Sequence, residues 1–356
     1  MGLKVSDPSF GRRNMPYHPS EISLRESKEY WWHEEYIQVI PEKSNQGCLN
    51  TKKRPVGRLY LQSWCLHNHV ENPKAEIIML HGIAAYGGYL AKLVPNYCYE
   101  GYRVHILDLP SHGRSDGIHV DLTEMQPLLD ALETVITRVK EYNSRCPIFL
   151  LGYSLGGLIG IRYCINNPHS VSGLSLVSPC VKLNSSLVNN SALINFGKLV
   201  AKLTPRLTIP SSDNDDDEEE ELELELNEAS KLTADNRISN STFYDEDYVK
   251  RDPLMFQQSC RIGTMIMILN ETKKLVGDLP RLQTPFFVQQ GGNDQVLDYR
   301  GANMIYDLSG TIDKLTRIYP HLEHNMFNSN TVLVDSIDWL NSQIKRLTPP
   351  VNLSKT

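Results

Sequence analysis

Short apolar runs alternate with amphipathic stretches along most of this chain of 356 residues. Five runs typical of buried strands lie between residues 57 and 179, namely GRLYLQSWCL, AEIIMLHG, GYRVHILDLP, CPIFLLGYS and VSGLSLVSP. The stretches between them include three with helical spacing: GYLAKLVPNYCYE, a long one over roughly 122–142, and LGGLIGIRYCINN. This alternation predicts parallel βαβ units whose strands are buried between helical layers. An earlier run, YWWHEEYIQVI, predicts one more strand.

The alternation stops near residue 182 and resumes much later in the chain. It resumes at TPFFVQQGGND, followed by a helix over 301–308, the strand DKLTRIYP and a last helix, TVLVDSIDWLNSQIKRL. We therefore predict an α/β core formed by residues 56–182 and 275–356. Residues 183–274 are expected to form a mostly helical cap insertion, and residues 1–55 an N-terminal extension.

Composition and charge place few restrictions on this picture. With 40% hydrophobic and 22% charged residues the chain is typical of a globular protein. The net charge is −6, but eleven acidic residues and no basic one lie between Asp213 and Glu228, so removing them leaves +5. The segment of about 211–228 is expected to be a solvated, disordered tract within the cap. The remaining charge is too weakly basic to indicate a nucleic-acid partner.

The targeting and cofactor signals are few. Seven cysteines without a C-x-x-C pair indicate a reducing compartment rather than a disulfide framework or zinc site. No run of 18 apolar residues exists, so we expect no membrane-spanning helix. No P-loop or G-x-G-x-x-G is present, so nothing indicates nucleotide binding, and no cofactor is expected. The pair His67 and His69 lies at the end of a predicted strand and is a weak signal on its own, so we expect no metal. The start MGLKVS fits the N-myristoylation pattern at Gly2. We expect a cytoplasmic protein with peripheral contact to membranes.

The clearest chemical motif is LGYSLGG, which places Ser154 between Gly152 and Gly156. A G-x-S-x-G is informative only on a sharp turn from strand to helix, and here PIFLL precedes it and GGLIGIRYCI follows. Such a turn holds the serine hydroxyl above the sheet, and the glycines let strand and helix cross closely. The motif therefore predicts an α/β-hydrolase fold with Ser154 as its nucleophile.

A serine nucleophile needs a histidine base and a carboxylate, which follow it in that fold in the order Ser, Asp or Glu, His. Asp294 ends the run FFVQQGGND, whereas Asp298 lies where the next helix starts and suits a capping role, so we favour Asp294. Two histidines, His321 and His324, follow the strand DKLTRIYP. The residues themselves leave the choice between these two histidines open.

The developing oxyanion needs backbone N–H donors, and two are expected from the sequence. One is Leu155, directly after the nucleophile. The other is Ile83, in the loop HGIAAYGG that follows the strand EIIML. His81 is expected to shape that loop, and His112 and Asp108 precede Ser154 and would break the chain order, so we predict that they are structural.

The motifs together resemble the monoacylglycerol lipase and lysophospholipase group of α/β-hydrolases, also described as serine-aminopeptidase-like. The resemblance covers about residues 58–345 and rests on MLHGIAAYGGYL, DLPSHGRSDG, LLGYSLGG, DPL at 252–254, QGGNDQVLD and YPHLEHN. It implies the following site residues: Ser154 as nucleophile, Asp294 as acid, His324 as base, and Ile83 and Leu155 as oxyanion donors. This chain departs from the group at Asn325, where Glu is usual, and in the acidic cap.

The resemblance implies a serine hydrolase of single-chain acyl esters, most directly a monoacylglycerol lipase. The alternatives are a lysophospholipase, a broad short-chain carboxylesterase and, more remotely, a non-catalytic binding protein on the same fold. Within the cap, SALINFGKLVAKLTPRL has an apolar face flanked by cations, which fits either contact with a membrane surface or packing as a lid helix. Met265 and Met267 fit either an acyl tunnel or ordinary core.

Overall fold

A central sheet organises the computed structural model, which describes residues 7–39, 57–184, 204–208, 246–258 and 260–347, with only the backbone at 246, 247 and 249. Within these residues the sheet has eight strands in the order β1-β2-β4-β3-β5-β6-β7-β8. The first two pairings, β1 with β2 and β2 with β4, are antiparallel, and the others are parallel. The strands are β1 Tyr30–Gln38, β2 Arg58–Leu66, β3 Glu76–Leu80, β4 Arg103–Leu107, β5 Ile148–Tyr153, β6 Gly173–Val177, β7 Phe286–Gly291 and β8 Lys314–Tyr319.

The described helices lie on both faces of this sheet. They are α1 Pro19–Glu26, α2 Gly87–Leu90, α3 Val94–Tyr99, α4 Gln126–Tyr142, α5 Leu155–Asn166, α6 Glu246–Arg251, α7 Ile262–Asp278, α8 Arg300–Leu308 and α9 Asn330–Leu347. None of them is long and apolar enough to cross a bilayer.

The apolar strands bury both of their faces. In β3, Ile78 and Leu80 belong to the hydrophobic core beneath α4, α5 and α7. Their neighbours Ile77 and Met79 belong to a second core beneath α3 and α9. Because side chains alternate along a strand, a continuous apolar run is what a sheet covered on both faces requires. The predicted mostly parallel sheet between helical layers is therefore confirmed.

Two predicted helices differ in their limits. The stretch GYLAKLVPNYCYE is divided into α2 and α3 by a 3-10 turn, and Pro95 lies at the start of α3, where its missing N–H costs no hydrogen bond. The long helix begins at Gln126 rather than near Leu122, since the N–H of Leu122 donates to Thr264 Oγ1 over 3.0 Å.

The predicted division of the chain stays a prediction. Strand β1 lies within the residues assigned to the N-terminal extension, yet it pairs with β2 along its whole length. Helix α7 crosses the predicted end of the cap at residue 274. The acidic tract, and residues 191–203 of the amphipathic cap stretch, lie outside the described residues.

Candidate active site

Ser154 alone forms the turn between β5 and α5. Its φ of 50° and ψ of −113° lie on the left-handed side of the backbone map, where a residue with a side chain is strained. Two backbone hydrogen bonds hold the turn: the Ser154 N–H donates to Val177 O over 3.1 Å, and its carbonyl accepts from the Cys180 N–H over 2.9 Å. The serine therefore has the position that its motif predicts.

The two flanking glycines permit a very close crossing. A Cβ added at Gly152 would lie 2.7 Å from Gly156 O, and one added at Gly156 would lie 2.3 Å from Leu80 O. Both contacts are with backbone oxygens, which no side-chain rotation relieves. Strand β5 and helix α5 reach their observed positions only because these two residues lack side chains.

Three of the predicted site residues form one chain of hydrogen bonds. Ser154 Oγ lies 3.2 Å from His324 Nε2, and His324 Nδ1 lies 2.8 Å from Asp294 Oδ2. All three side chains are buried. A carboxylate only accepts hydrogen bonds, so Nδ1 carries the imidazole proton and the lone pair of Nε2 faces the serine hydroxyl.

The carboxylate of Asp294 is fixed from both of its oxygens. Oδ1 accepts from the backbone N–H groups of Val296 and Leu297 over 2.9 and 2.8 Å. Oδ2 is shared between His324 and the side-chain amide of Gln290, which donates over 2.7 Å. Gln290 was not predicted from the sequence, although a glutamine at the end of the apolar run FFVQQ, four residues before the acid, is the signal that could have marked it.

The two competing residues lie in other surroundings. The Asp298 carboxylate pairs with Lys182 over 3.1 Å and accepts from the backbone N–H of Arg300, the first residue of α8. Burial alone raises the pKa of Asp298, but the hydrogen bonds from Arg300 and Lys182 outweigh it and lower that pKa to about 2. His321 directly follows Pro320 at the end of β8, and it is exposed.

The loop that carries His324 is held mainly by backbone groups. The Ser178 hydroxyl donates to His324 O over 2.9 Å, and the Asn293 N–H donates to Leu322 O over 3.0 Å. The ring of Tyr153 lies 5.3 Å from the His324 ring. None of these contacts involves the side chain of Asn325, whose buried Oδ1 has no hydrogen-bond partner within the described residues.

A small apolar cavity lies beside Ser154. Both expected oxyanion donors border it, and Leu155 is the first residue of α5, so its N–H has no partner within the helix. Met265 lines this cavity, whereas Met267 is buried and borders a separate depression beside Arg162. The full lining is Ile83, Ser154, Leu155, Cys180, Leu183, Met265, Ile268, Val296 and Leu297.

Three buried polar residues, His81, His112 and Asp108, form hydrogen bonds to the segment that follows β3. His81 Nδ1 donates to Gly82 O over 2.7 Å, and its Nε2 accepts from the Leu109 N–H over 2.9 Å. Burial lowers the pKa of His81 well below its ordinary value, with the neighbouring His112 adding to the effect. Asp108 accepts from the Gly87 N–H over 2.7 Å, and burial raises its pKa to about 6. These side chains hold loops together.

Comparison with known proteins identifies the family of this chain. The family described as Serine aminopeptidase, S33, matches residues 71–331. Monoglyceride lipase of Mus musculus is 27% identical over 278 residues, covering 76% of this chain and 84% of its own length. Monoglyceride lipase of Homo sapiens is 27% identical over 266 residues, covering 74% and 80%.

A solved structure shows the same fold. The soluble variant of monoglyceride lipase from Saccharomyces cerevisiae superposes with a TM-score of 0.63 at 17% identity, covering 87% of this chain and 99% of that one. The sheet order, the strained serine turn and these similarities identify a carboxylic ester hydrolase with an α/β-hydrolase fold. The chain belongs to the serine aminopeptidase S33 family of α/β-hydrolases.

Proposed function

We propose that this protein is a monoacylglycerol lipase in which Ser154, His324 and Asp294 form the catalytic triad. The observation that carries the proposal is the hydrogen-bonded chain from Ser154 Oγ through the imidazole to Asp294 Oδ2, ending beside an apolar cavity. The curated relatives with similar sequences include monoglyceride lipases of mouse and human.

The first half of the reaction forms an acyl-enzyme. Ser154 Oγ attacks the ester carbonyl carbon while its proton passes to His324 Nε2, and Asp294 stabilises the resulting imidazolium. The carbonyl oxygen becomes an oxyanion that accepts hydrogen bonds from the N–H groups of Ile83 and Leu155. The oxyanion then collapses, the ester C–O bond breaks, and His324 donates its proton to the departing glycerol oxygen.

The second half returns the enzyme to its starting state. A water molecule takes the place of glycerol, and His324 Nε2 removes its proton as the water oxygen attacks the acyl carbonyl. The same two N–H groups hold the second oxyanion. Its collapse breaks the bond to Ser154 Oγ, and the serine regains its proton from the imidazolium. The products are a fatty acid and glycerol.

The lining of the cavity favours an uncharged single-chain ester. Its described residues are apolar apart from Ser154 and Cys180, and none carries a charge. A buried phosphate or ammonium group needs hydrogen bonds or an opposite charge to offset its lost hydration. Purified protein is therefore expected to turn over monoacylglycerol faster than lysophosphatidylcholine. A preference for the charged head group would instead assign the protein to the lysophospholipases.

Two sets of variants test the triad. Ser154→Ala is expected to abolish labelling by a fluorophosphonate probe, and continued labelling of that variant would refute the assignment of the nucleophile. His324→Ala is expected to lower kcat on a p-nitrophenyl ester by about 10⁴-fold or more. His321→Ala serves as the matched control, because its side chain is exposed, and it should retain most of the turnover.

We also propose that Gly2 is myristoylated and that the cap forms a lid contacting the membrane surface. The sequence MGLKVS and the amphipathic cap stretch support this part of the proposal. One acyl chain gives only weak, reversible membrane binding, so the protein would exchange between cytoplasm and membrane. The intact mass of protein made in a eukaryotic host tests it, since a free or acetylated N-terminus would refute myristoylation.

A further inference from the structure

The loop that carries the Ile83 N–H is fixed one peptide group at a time. Gly82 C=O and Ile83 N–H belong to the same planar trans peptide and point in opposite directions. His81 Nδ1 donates to Gly82 O over 2.7 Å, so the Ile83 N–H of that peptide points away from His81. This hydrogen bond fixes the orientation of the peptide group that precedes Ile83.

The next peptide group is held by a different histidine. The Ala84 N–H donates to His112 Nε2 over 3.3 Å, and the Ala84 carbonyl accepts from the Phe256 N–H over 3.0 Å. Ala84 has a φ of 62°, a left-handed conformation that a residue with a Cβ keeps only when its surroundings impose it. His112 is one of the groups that impose it.

The imidazole of His112 is well suited to accept that hydrogen bond. Its Nδ1 donates to Pro110 O over 3.0 Å, which leaves Nε2 without a proton. The side chain is completely buried, and burial lowers the pKa of His112 to about 4, so the neutral form persists at neutral pH. Protonation of Nε2 would place a donor against the Ala84 N–H.

We propose that His112 is a positioning residue for catalysis, which aims the Ile83 N–H at the oxyanion by anchoring the peptide that follows it. The inference rests on the proposed function, since it requires Ile83 to be an oxyanion donor. His112 touches no reacting atom. His81 anchors the peptide that contains the Ile83 N–H and His112 anchors the next one, so this N–H keeps one direction throughout the reaction.

Two substitutions separate this role from a general contribution to stability. In His112→Asn the amide still reaches Pro110 O, but the Ala84 N–H loses its acceptor. In His112→Gln the longer side chain brings an oxygen to the position of Nε2 and keeps that acceptor. Loss of a whole oxyanion donor costs about 10²–10³ in kcat, so a misdirected one is expected to cost about 10- to 100-fold.

The expected pattern is a lower kcat with an unchanged KM. His112→Asn should lower kcat on a p-nitrophenyl ester by about 10- to 100-fold, and His112→Gln should recover most of this loss. The inhibition constant of a trifluoromethyl ketone, whose adduct with Ser154 carries an oxyanion, should rise in parallel with the loss of kcat. Titration of active sites by the burst of p-nitrophenol gives kcat per folded molecule even when part of a preparation is unfolded.

His105→Asn is the control for burial. His105 is also completely buried and bonded through both ring nitrogens, to Ser63 and Glu76, but its hydrogen bonds do not reach the oxyanion loop. The variant His105→Asn should lower the free energy of unfolding and leave kcat per active site unchanged. Wild-type kcat in His112→Asn, or equal losses in the Asn and Gln variants, would overturn the positioning role alone. A wild-type enzyme without turnover would overturn the proposed function as well.

Discussion

The crossing of α5 over β3 gives the sharpest test of how the nucleophile is held. In Gly156→Ala the added Cβ would lie 2.3 Å from Leu80 O and 2.7 Å from Leu80 C, both backbone atoms. One helical turn later, in Gly160→Ala, the nearest atoms are side-chain methyl groups at 3.6 and 3.9 Å, which is ordinary van der Waals contact. The same substitution in the same helix therefore meets opposite surroundings.

The two variants are expected to change the free energy of unfolding in opposite directions. An alanine in place of glycine within a helix gains about 1 kcal/mol, and burial of one methyl group gains about 0.8 kcal/mol. Gly160→Ala should therefore stabilise the protein by about 1–2 kcal/mol. In Gly156→Ala, overpacking against backbone costs about 3 kcal/mol or more and outweighs the propensity gain, so we expect a net loss of about 2 kcal/mol.

The Gly156 variant should also lose activity. Relief of the clash requires the start of α5, and with it Ser154, to move by about 1 Å, and a displacement of that size costs about 100-fold in rate. Urea unfolding followed by tryptophan fluorescence gives the stabilities, and kcat per titrated site gives the activity. If Gly156→Ala were as stable as Gly160→Ala and as active as the wild type, the close crossing would be wrong.

Two further predictions concern the carboxylates and two histidines whose pKa is lowered. Asp294→Asn is expected to lower kcat by about 10⁴-fold because the imidazole loses its tautomer, whereas Asp298→Asn should keep kcat within a few-fold, both measured with a p-nitrophenyl ester. An equal loss in the two variants would contradict the assignment of Asp294. Burial lowers the pKa of His18 and of His112 to about 4, so below pH 6.5 only the unfolded chain binds these protons, and stability falls as the pH falls. Between pH 7.5 and 6 the loss should be on the order of 1 kcal/mol by urea titration, and His18→Gln should make the pH dependence shallower. An unchanged slope in that variant would rule out His18 as a source.

The sequence predicted the sheet well because both faces of its strands are buried. Continuous apolar runs such as IIML in β3 have no polar face, and only a sheet covered on both sides buries all of their residues. The serine turn was predictable because the whole G-x-S-x-G motif and the apolar runs on either side of it are contiguous in the sequence, although the contact that requires Gly156 is with Leu80 of β3.

Contacts between segments that lie far apart in the sequence were harder to predict. From the residues alone His321 and His324 were equivalent, because the choice depends on how a loop of backbone contacts turns after β8. Only the resemblance to a known family selected His324, and the hydrogen bond to Ser154 agrees with that selection.

The N-terminal segment shows the same limit. Arg12 donates from its guanidinium to three backbone carbonyls, those of Gly113, Ser115 and Gly117, over 2.6 to 2.9 Å. Arg114 donates in the other direction, to Met15 O and Pro16 O over 3.1 and 2.8 Å. Every residue has a backbone carbonyl, so the sequence does not show which carbonyls an arginine contacts. Only an N-terminal extension could therefore be predicted. In the structure this segment clamps the loop that contains His112.

A second chain of Ser, His and carboxylate lies within the sheet and shows what distances alone leave undecided. Ser63 Oγ lies 2.8 Å from His105 Nδ1, and His105 Nε2 lies 3.0 Å from Glu76 Oε2. The serine-to-histidine distance is shorter here than the 3.2 Å between Ser154 and His324. The histidine-to-carboxylate distance is longer, 3.0 Å against 2.8 Å, so hydrogen-bond lengths do not distinguish this group of residues from a triad.

Its surroundings exclude catalysis. Ser63, His105 and Glu76 lie in β2, β4 and β3 and are covered by the sheet and its helices, with at most 1% of any of the three exposed. Ser63 is paired within strands on both sides rather than held on a strained turn, so no helix start presents a free N–H to an oxyanion there. Ser154, in contrast, lies on a strained turn, next to the first N–H of α5 and beside a small apolar cavity. The functional assignment therefore rests on the turn, the donors and the cavity as much as on the three side chains.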